Sequence, residues 1–196
     1  MPVVADKTDA ELKARILAIL DENRIMTVAT ARPDGWPQAT MVGYVHDDLT
    51  LYFAVARDSQ KFANIEHDPR ISIAIGKDSP NHIDGVSMAA RAAEVTDIEE
   101  VGRLNALIIR RYPEQAVFAP REAFSAVMRA TPRIISLIDL AKGPGHPELL
   151  EVTSETFVHR ISDSEDVAPA RTSLPCPGQA RSAPTVRRPQ PPSAPT

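Results

Sequence analysis

Two turn signals sit close together in the first third of the chain, and they constrain its fold more than any other feature. Arg32-Pro33-Asp34-Gly35 fixes φ at the proline and offers a glycine for positive φ, and Asp47-Asp48 makes a second tight turn. Around them run stretches rich in β-branched and apolar residues: Arg24 to Ala31, Pro37 to His46 and Thr50 to Ala56. Strands joined by such short connections are antiparallel neighbours, because a parallel crossover needs roughly a dozen residues or more. The chain therefore opens its sheet as a meander.

Three more strands are expected at Ile71 to Ile75, Val86 to Thr96 and Arg133 to Leu140, with Gly76 to Asp84 as a loop. Gly143-Pro144-Gly145 ends the last of them. Helices punctuate the strands. Thr8-Asp9-Ala10-Glu11 is a capping-box pattern, followed by Leu12, Ile16, Leu17, Ile19 and Leu20 on one face and by Asn23 as a stop. A short helix is expected from Ser59 to about Glu66, ended by Asp68-Pro69. Another spans Asp97 to Tyr112, with Ile98, Val101, Leu104, Leu107 and Ile108 on one stripe. A shorter one covers Pro120 to Arg129. Six strands that meander instead of alternating with helices argue against a doubly wound sheet. They predict a mainly β (α+β) fold, an antiparallel six-stranded barrel with peripheral helices.

Composition changes near Ile161. From Asp163 to Thr196 there are eight of the eighteen prolines and no aromatic residue. Such a segment offers little apolar area to offset ordering entropy, so the expected organisation is a folded domain over 1–162 and a disordered Pro-rich tail over 163–196. Arg187-Arg188-Pro189-Gln190-Pro191-Pro192 has the composition of a polyproline helix, although an inert tail is the simpler reading. The net charge of −4 gives no basic nucleic-acid surface. Cys176 is the single cysteine, which excludes an internal disulfide framework and a zinc-thiolate cage. Charges throughout Met1 to Leu20, and the lack of any apolar run of about 18 residues, predict no signal peptide and no membrane-spanning helix. The expected setting is cytoplasmic.

The chemistry-bearing stretch is Arg57-Asp58-Ser59-Gln60-Lys61, where a strand hands over to a helix. Ser59 is a good N-cap. The first amides of the helix are free, with the positive end of its dipole behind them. A hydroxyl, open amides, Lys61 and Arg57 together make an anion site of the kind phosphates use. Serine-capped helices beside a lysine are common, so the stretch alone is equally a plain helix cap.

Its place in a longer order is more specific. Ile25 to Thr30, Pro37 to Val42 and Leu51 to Ala56 precede Ser59-Gln60-Lys61, and Asn64-Ile65-Glu66-His67-Asp68-Pro69-Arg70-Ile71-Ser72-Ile73 follows. This ordered set resembles the pyridoxamine 5′-phosphate oxidase-like family of flavin-binding split barrels, over about residues 10 to 140. The resemblance implies a homodimer holding FMN at the subunit interface and acting as an oxidoreductase on a small organic substrate. It implies that Ser59 and Lys61 meet the cofactor phosphate, with Gln60 where the family has arginine and Arg57 as a substitute charge. It places Ala39, Thr40, Met41 and Val42 along the ring, and Ala54 and Val55 beside it. A basic residue usual in the oxidases falls on Ala39, or on Gln38 if the register slips by one. Relatives of this kind also bind F420 or haem, so these remain alternatives, as does a flavin- or haem-binding protein without turnover.

True pyridoxamine phosphate oxidases end in a segment bearing arginine, histidine and tryptophan. Here the only tryptophan is Trp36, in a turn. Oxidation of vitamin B6 phosphates is therefore not expected. Hydride chemistry on a flavin asks little of side chains, so no catalytic residue is named. The histidines His46, His67, His82, His146 and His159 show no i, i+4 ligand spacing, and no metal site is expected. Arg91 is read as outward-facing, and Met26, Met41, Met88 and Met128 most simply as core fillers, Met41 alone having a positional reason to touch a ring.

Overall fold

The computed structural model describes residues 8–79, 82–113, 124–139, 147–154 and 157–160. The segment 163–196, the Gly143-Pro144-Gly145 stop and His146 lie outside the described residues.

The first helix, α1 (Asp9–Glu22), begins as its capping box requires. The Thr8 Oγ1 accepts from the Glu11 amide at 3.3 Å, and the Glu11 carboxylate accepts from the Thr8 amide at 2.7 Å. Leu12, Ile16, Ile19 and Leu20 are buried, and Asn23 caps the end by donating to the Ile19 carbonyl at 2.7 Å. The meander follows as β1 (Ile25–Ala31), β2 (Pro37–Gly43), β3 (Val45–Asp47) and β4 (Thr50–Ala56). Gly35 takes the positive φ the first turn demands, and Asp48 takes it in the second. Then come α2 (Gln60–His67), β5 (Arg70–Ser79), β6 (His82–Glu94), α3 (Ile98–Arg111), β7 (Ser125–Asp139), β8 (Glu148–Ser154) and β9 (Phe157–Arg160).

Every ladder is antiparallel, in the order β2-β1-β5-β6-β7-β4-β3, with the β8–β9 pair continuing from β7. The two ends of that path, β2 and β3, are separated in sequence by Tyr44 alone. The sheet must therefore curl until its ends meet. A single bent strand serves both edges: its first half pairs with β1, its second with β4. Tyr44 fixes the bend, buried and donating its hydroxyl to the Leu20 carbonyl of α1 at 2.9 Å.

Alternation along β4 separates two apolar layers. Leu51, Phe53 and Val55 point into the barrel with Ile73, Met88, Ile135 and the apolar face of α1. Tyr52 points outward and packs with Val45, Val127 and the α3 residues Val101, Leu104 and Ile108. Each large aliphatic or aromatic buried this way stabilises the fold by about 1.5–3 kcal/mol. Met26, Met88 and Met128 are core residues and Arg91 is exposed, as alternation predicts, whereas Met41 is not core: it lies on the outward face of β2 and is exposed.

The antiparallel split barrel agrees with the sequence, and five details do not. β8 and β9 add strands beyond the stop expected at Gly143-Pro144-Gly145, so the described residues form nine strands where six are expected. The stretch Pro37 to His46 is two strands, because Tyr44 turns the corner. Ser125 to Arg129 is the start of β7, not helix: its Ala126, Val127 and Met128 pair with β4 on one side, and Met128 pairs with β6 on the other. Pro132 is tolerated within β7 because it lies where pairing passes from β4 to β8 and where the β6 register shifts. Gly76 to Ser79 and His82 to Asp84 are ladder, not loop. Gly76 and Gly85 are direct partners, and a Cβ on Gly76 would lie 2.8 Å from the Asp84 carbonyl oxygen, so the glycines permit close backbone approach. Ile98 is exposed and stands apart from the buried stripe of α3.

Candidate functional site

The handover from β4 to α2 is built by Ser59. Its backbone is extended, its Oγ accepts from the Phe62 amide at 3.2 Å, and it donates to the Ala56 carbonyl at 2.6 Å. Phe62 and Ile65 anchor α2 to the barrel core. The serine hydroxyl is thus engaged at both ends. What the helix start still presents is the pair of amides at Gln60 and Lys61, ahead of the first intrahelical bond, and the Lys61 ammonium. Lys61 is half-buried and makes no ion pair with a described residue, and burial pushes its pKa down.

The neighbouring side chains are held. Gln60 donates to the Asn64 Oδ1 at 2.8 Å, one helical turn on. Asn64 has no exposed surface; its Nδ2 donates to the Thr30 Oγ1 at 2.9 Å and to the Gln38 Oε1 at 3.0 Å. Thr30 and Gln38 are register partners across β1 and β2. One buried amide therefore ties the start of α2 to both strands. Arg57 turns away from this knot. It forms an ion pair with Glu94 on β6, its NH1 lies 3.3 Å from that carboxylate, and its guanidinium lies 5.5 Å from the Phe62 ring centroid. The Glu94 hydrogen bond pushes the Arg57 pKa up.

Along β2 the candidate residues divide by face. Gln38, Thr40 and Val42 are half-buried on the inner side, and Val42 packs against the core. The Thr40 hydroxyl is buried with no hydrogen-bond partner. Ala39 and Met41 face outward, Met41 with 72% of its surface exposed. Met41 lines a cleft of about 330 Å³ with Arg24, Ile25, Thr27, Ala74 and Gly76. On β4, Val55 is a core side chain, while Ala54 is half-buried on the opposite face. The structure thus joins Gln38 and Gln60 through Asn64 at the α2 start, beside Ser59 and Lys61, leaves Thr40 on the inner side of β2, places Ala39 and Met41 on the outer face, and sends Arg57 to Glu94. Neither the Met41 cleft nor the one described next is lined by Ser59, Gln60 or Lys61.

A second polar cluster lies where α1 ends. Arg111 donates to the carbonyls of Leu20, Asp21 and Asn23 at 2.6, 2.9 and 3.0 Å and to the Asp21 carboxylate at 3.0 Å. Its Nε donates to the Tyr112 hydroxyl, which donates to the Tyr44 carbonyl. His46, against Asp21 at 3.2 Å, joins Arg111 on the wall of a cleft of about 350 Å³.

The order of these elements matches known proteins. A family model described as Pyridoxamine 5′-phosphate oxidase matches residues 12–138, from α1 into β7. The chain belongs to this family. General stress protein 26 of Bacillus subtilis (strain 168) is 26% identical over 91 residues, which are 46% of this chain and 64% of that protein. This chain thus spans less than two thirds of that relative's length. Among solved structures, General Stress Protein 26 from Bacillus anthracis str. Sterne has TM-score 0.56 at 23% identity, covering 72% of this chain and 99% of the other. A heme binding protein from Mycobacterium smegmatis has TM-score 0.55 at 22% identity, covering 76% and 60%. The same fold is thus found in a protein described as heme binding. Trp36, the one tryptophan, lies exposed at the β1–β2 turn.

The cap at Ser59 and the position of Lys61 on the first turn of α2 are visible in the sequence, whereas the hydrogen bonds of Asn64 and the ion pair of Glu94 are not. Gln60 and Asn64 at i, i+4 was the available signal for the first. Nothing local pointed to Glu94, which reaches Arg57 across the sheet.

Proposed function

We propose that this chain is a flavin-dependent oxidoreductase acting on a small organic substrate. It works as a homodimer in the cytoplasm, with FMN as the ordinary occupant of the family's site and F420 as the second reading. The observation that carries this is the α2 start: a half-buried Lys61 with no ion pair to a described residue, beside open amides. A lysine partly withdrawn from water without a carboxylate lacks a counter-charge, and a phosphate supplies one. These residues fit a phosphorylated cofactor. Lys61 and the Gln60 and Lys61 amides would hold its phosphate. Thr40 would donate a hydrogen bond from β2. Ala39 and Met41 offer small and apolar surface for a flat ring.

When bound, the flavin ring supplies the hydride chemistry. The chain's part is to orient the ring, keep its phosphate fixed and exclude water from one face. The second reading, F420, is favoured by the neutral Gln60, hydrogen-bonded to Asn64, where the family has a cation. A haem-binding role rests on fold likeness alone.

The absorption spectrum of purified protein and a titration with FMN test this reading. Lys61→Ala is expected to weaken FMN binding by about 1.5–3 kcal/mol, the worth of a charge-assisted hydrogen bond. A colourless protein that binds neither FMN nor F420 when they are added would end the proposal.

A further inference from the structure

α3 buries one stripe and leaves a second apolar row in the open. Val101, Leu104 and Ile108 pack on the barrel, while Ile98 and Ile109 keep 58% and 55% of their surface exposed. At about 100° per residue, Ile98, Gly102, Asn105 and Ile109 fall within about 60° of one another, roughly a quarter turn from the buried stripe. Their spacing of four, three and four residues is that of the a and d positions in a coiled-coil seam. A glycine in mid-helix does not favour the helix itself. Nothing lies within 4 Å of where a Cβ on Gly102 would sit, so no neighbour in this chain calls for it. Close approach of a second backbone is a use for such a residue.

The row is complementary to itself when turned end for end. With two copies of α3 laid antiparallel, Ile98 of one meets Ile109 of the other, and Gly102 of one meets Asn105 of the other. Glu99 and Arg110 are exposed on one flank of the row and form no ion pair with a described residue. The antiparallel arrangement brings them together between copies, whereas a parallel one sets like charges against each other. The order of these charges also suits the helix dipole, so they select direction while the isoleucines supply the contact.

We infer that the outer row of α3 docks on the same row of a second copy of this chain, antiparallel and two-fold. The inference does not depend on the flavin reading and uses neither β2 nor α2. A contact about 16 Å long between two helices buries less than the roughly 1,200 Å² of a standard interface, so the association is of the transient class.

The test uses full-length chains in a Cys176→Ser background. Ile98→Cys and Ile109→Cys chains are oxidised separately and as a mixture. Antiparallel docking brings the two substituted positions together only between unlike chains, so a disulfide-linked pair is expected from the mixture and is lost when either chain is oxidised alone. Linking by each chain alone would mean that the rows meet in parallel, and linking in no sample would mean that this face stays free or takes a different molecule. Either result overturns the inference. Sedimentation velocity reads the same contact with the isoleucines in place. The sedimentation coefficient is expected to rise with concentration. Glu99→Arg or Arg110→Glu alone should weaken that association about tenfold, and the two together should restore it. A coefficient that neither rises with concentration nor responds to the single charge reversals overturns the inference as well.

Discussion

The two polar knots of this barrel are built from the same materials and end in opposite states. Around Arg111, a cation meets three helix-terminal carbonyls, a carboxylate and a tyrosine hydroxyl, and its donors are satisfied within the chain. Around Asn64, a neutral amide joins α2 to β1 and β2, yet on the same helix Lys61 has no counter-charge among the described residues, and on β2 the Thr40 hydroxyl has no partner among them. The first knot closes on itself and holds α1 to α3. The second leaves charge and hydrogen-bonding capacity open. A closed polar cluster stabilises; an open one is where a ligand adds what the chain leaves out.

Breaking the closed knot is expected to have the largest effect. Arg111→Met removes the donors to the Leu20, Asp21 and Asn23 carbonyls and should cost about 3 kcal/mol of stability in urea denaturation, with flavin affinity of the folded protein unchanged. A matching loss of affinity would show that the two regions are not independent. Asn64→Leu comes next. It leaves Gln60 and Gln38 without their shared partner and should cost about 2 kcal/mol, and here ligand affinity is expected to change as well. Thr40→Val separates the roles most sharply. Its hydroxyl has no partner to lose, so stability should stay within about 0.5 kcal/mol while FMN affinity falls. A stability loss as large as that of Asn64→Leu would mean that Thr40 belongs to the packing and not to the site.

The smallest effect concerns the far end of α2. Asp68 caps that helix, and hydrogen bonds from Arg70 hold its carboxyl well below the usual carboxylate range. Because the folded pKa is depressed, its contribution is complete above the unfolded value of about 3.9 and is lost as pH falls through the folded one. Asp68→Asn should therefore lower Tm by a constant small amount from about pH 5 upward, and the gap should narrow toward pH 2. A gap that widens in acid would reverse the assignment.

Much of this architecture is legible in the chain itself. Capping at Thr8 and Ser59, the glycine turn at Gly35 and the apolar stripe of α1 are local devices, decided by residues within one helical turn of each other. The failures are all non-local. Ser125 to Arg129 looks helical until β4 and β6 claim it from both sides. Gly76 and Gly85 look like loop markers, although each is there to admit the other's backbone. At the candidate site, Ser59 and Lys61 follow from order and spacing. Asn64 could be seen only as a helix-face neighbour of Gln60, because its partners Thr30 and Gln38 come from strands a long way back in the sequence. The capture of Arg57 by Glu94 required the sheet to be assembled first.

Because Tyr44 alone separates β2 from β3, the free margins of the ladder are tethered within the reach of two peptide steps, about 7 Å. Near that tether the barrel can slide its strands but cannot gape. A guest entering beside β2 has to suit the aperture it finds, since no hinge there allows the wall to swing open around it.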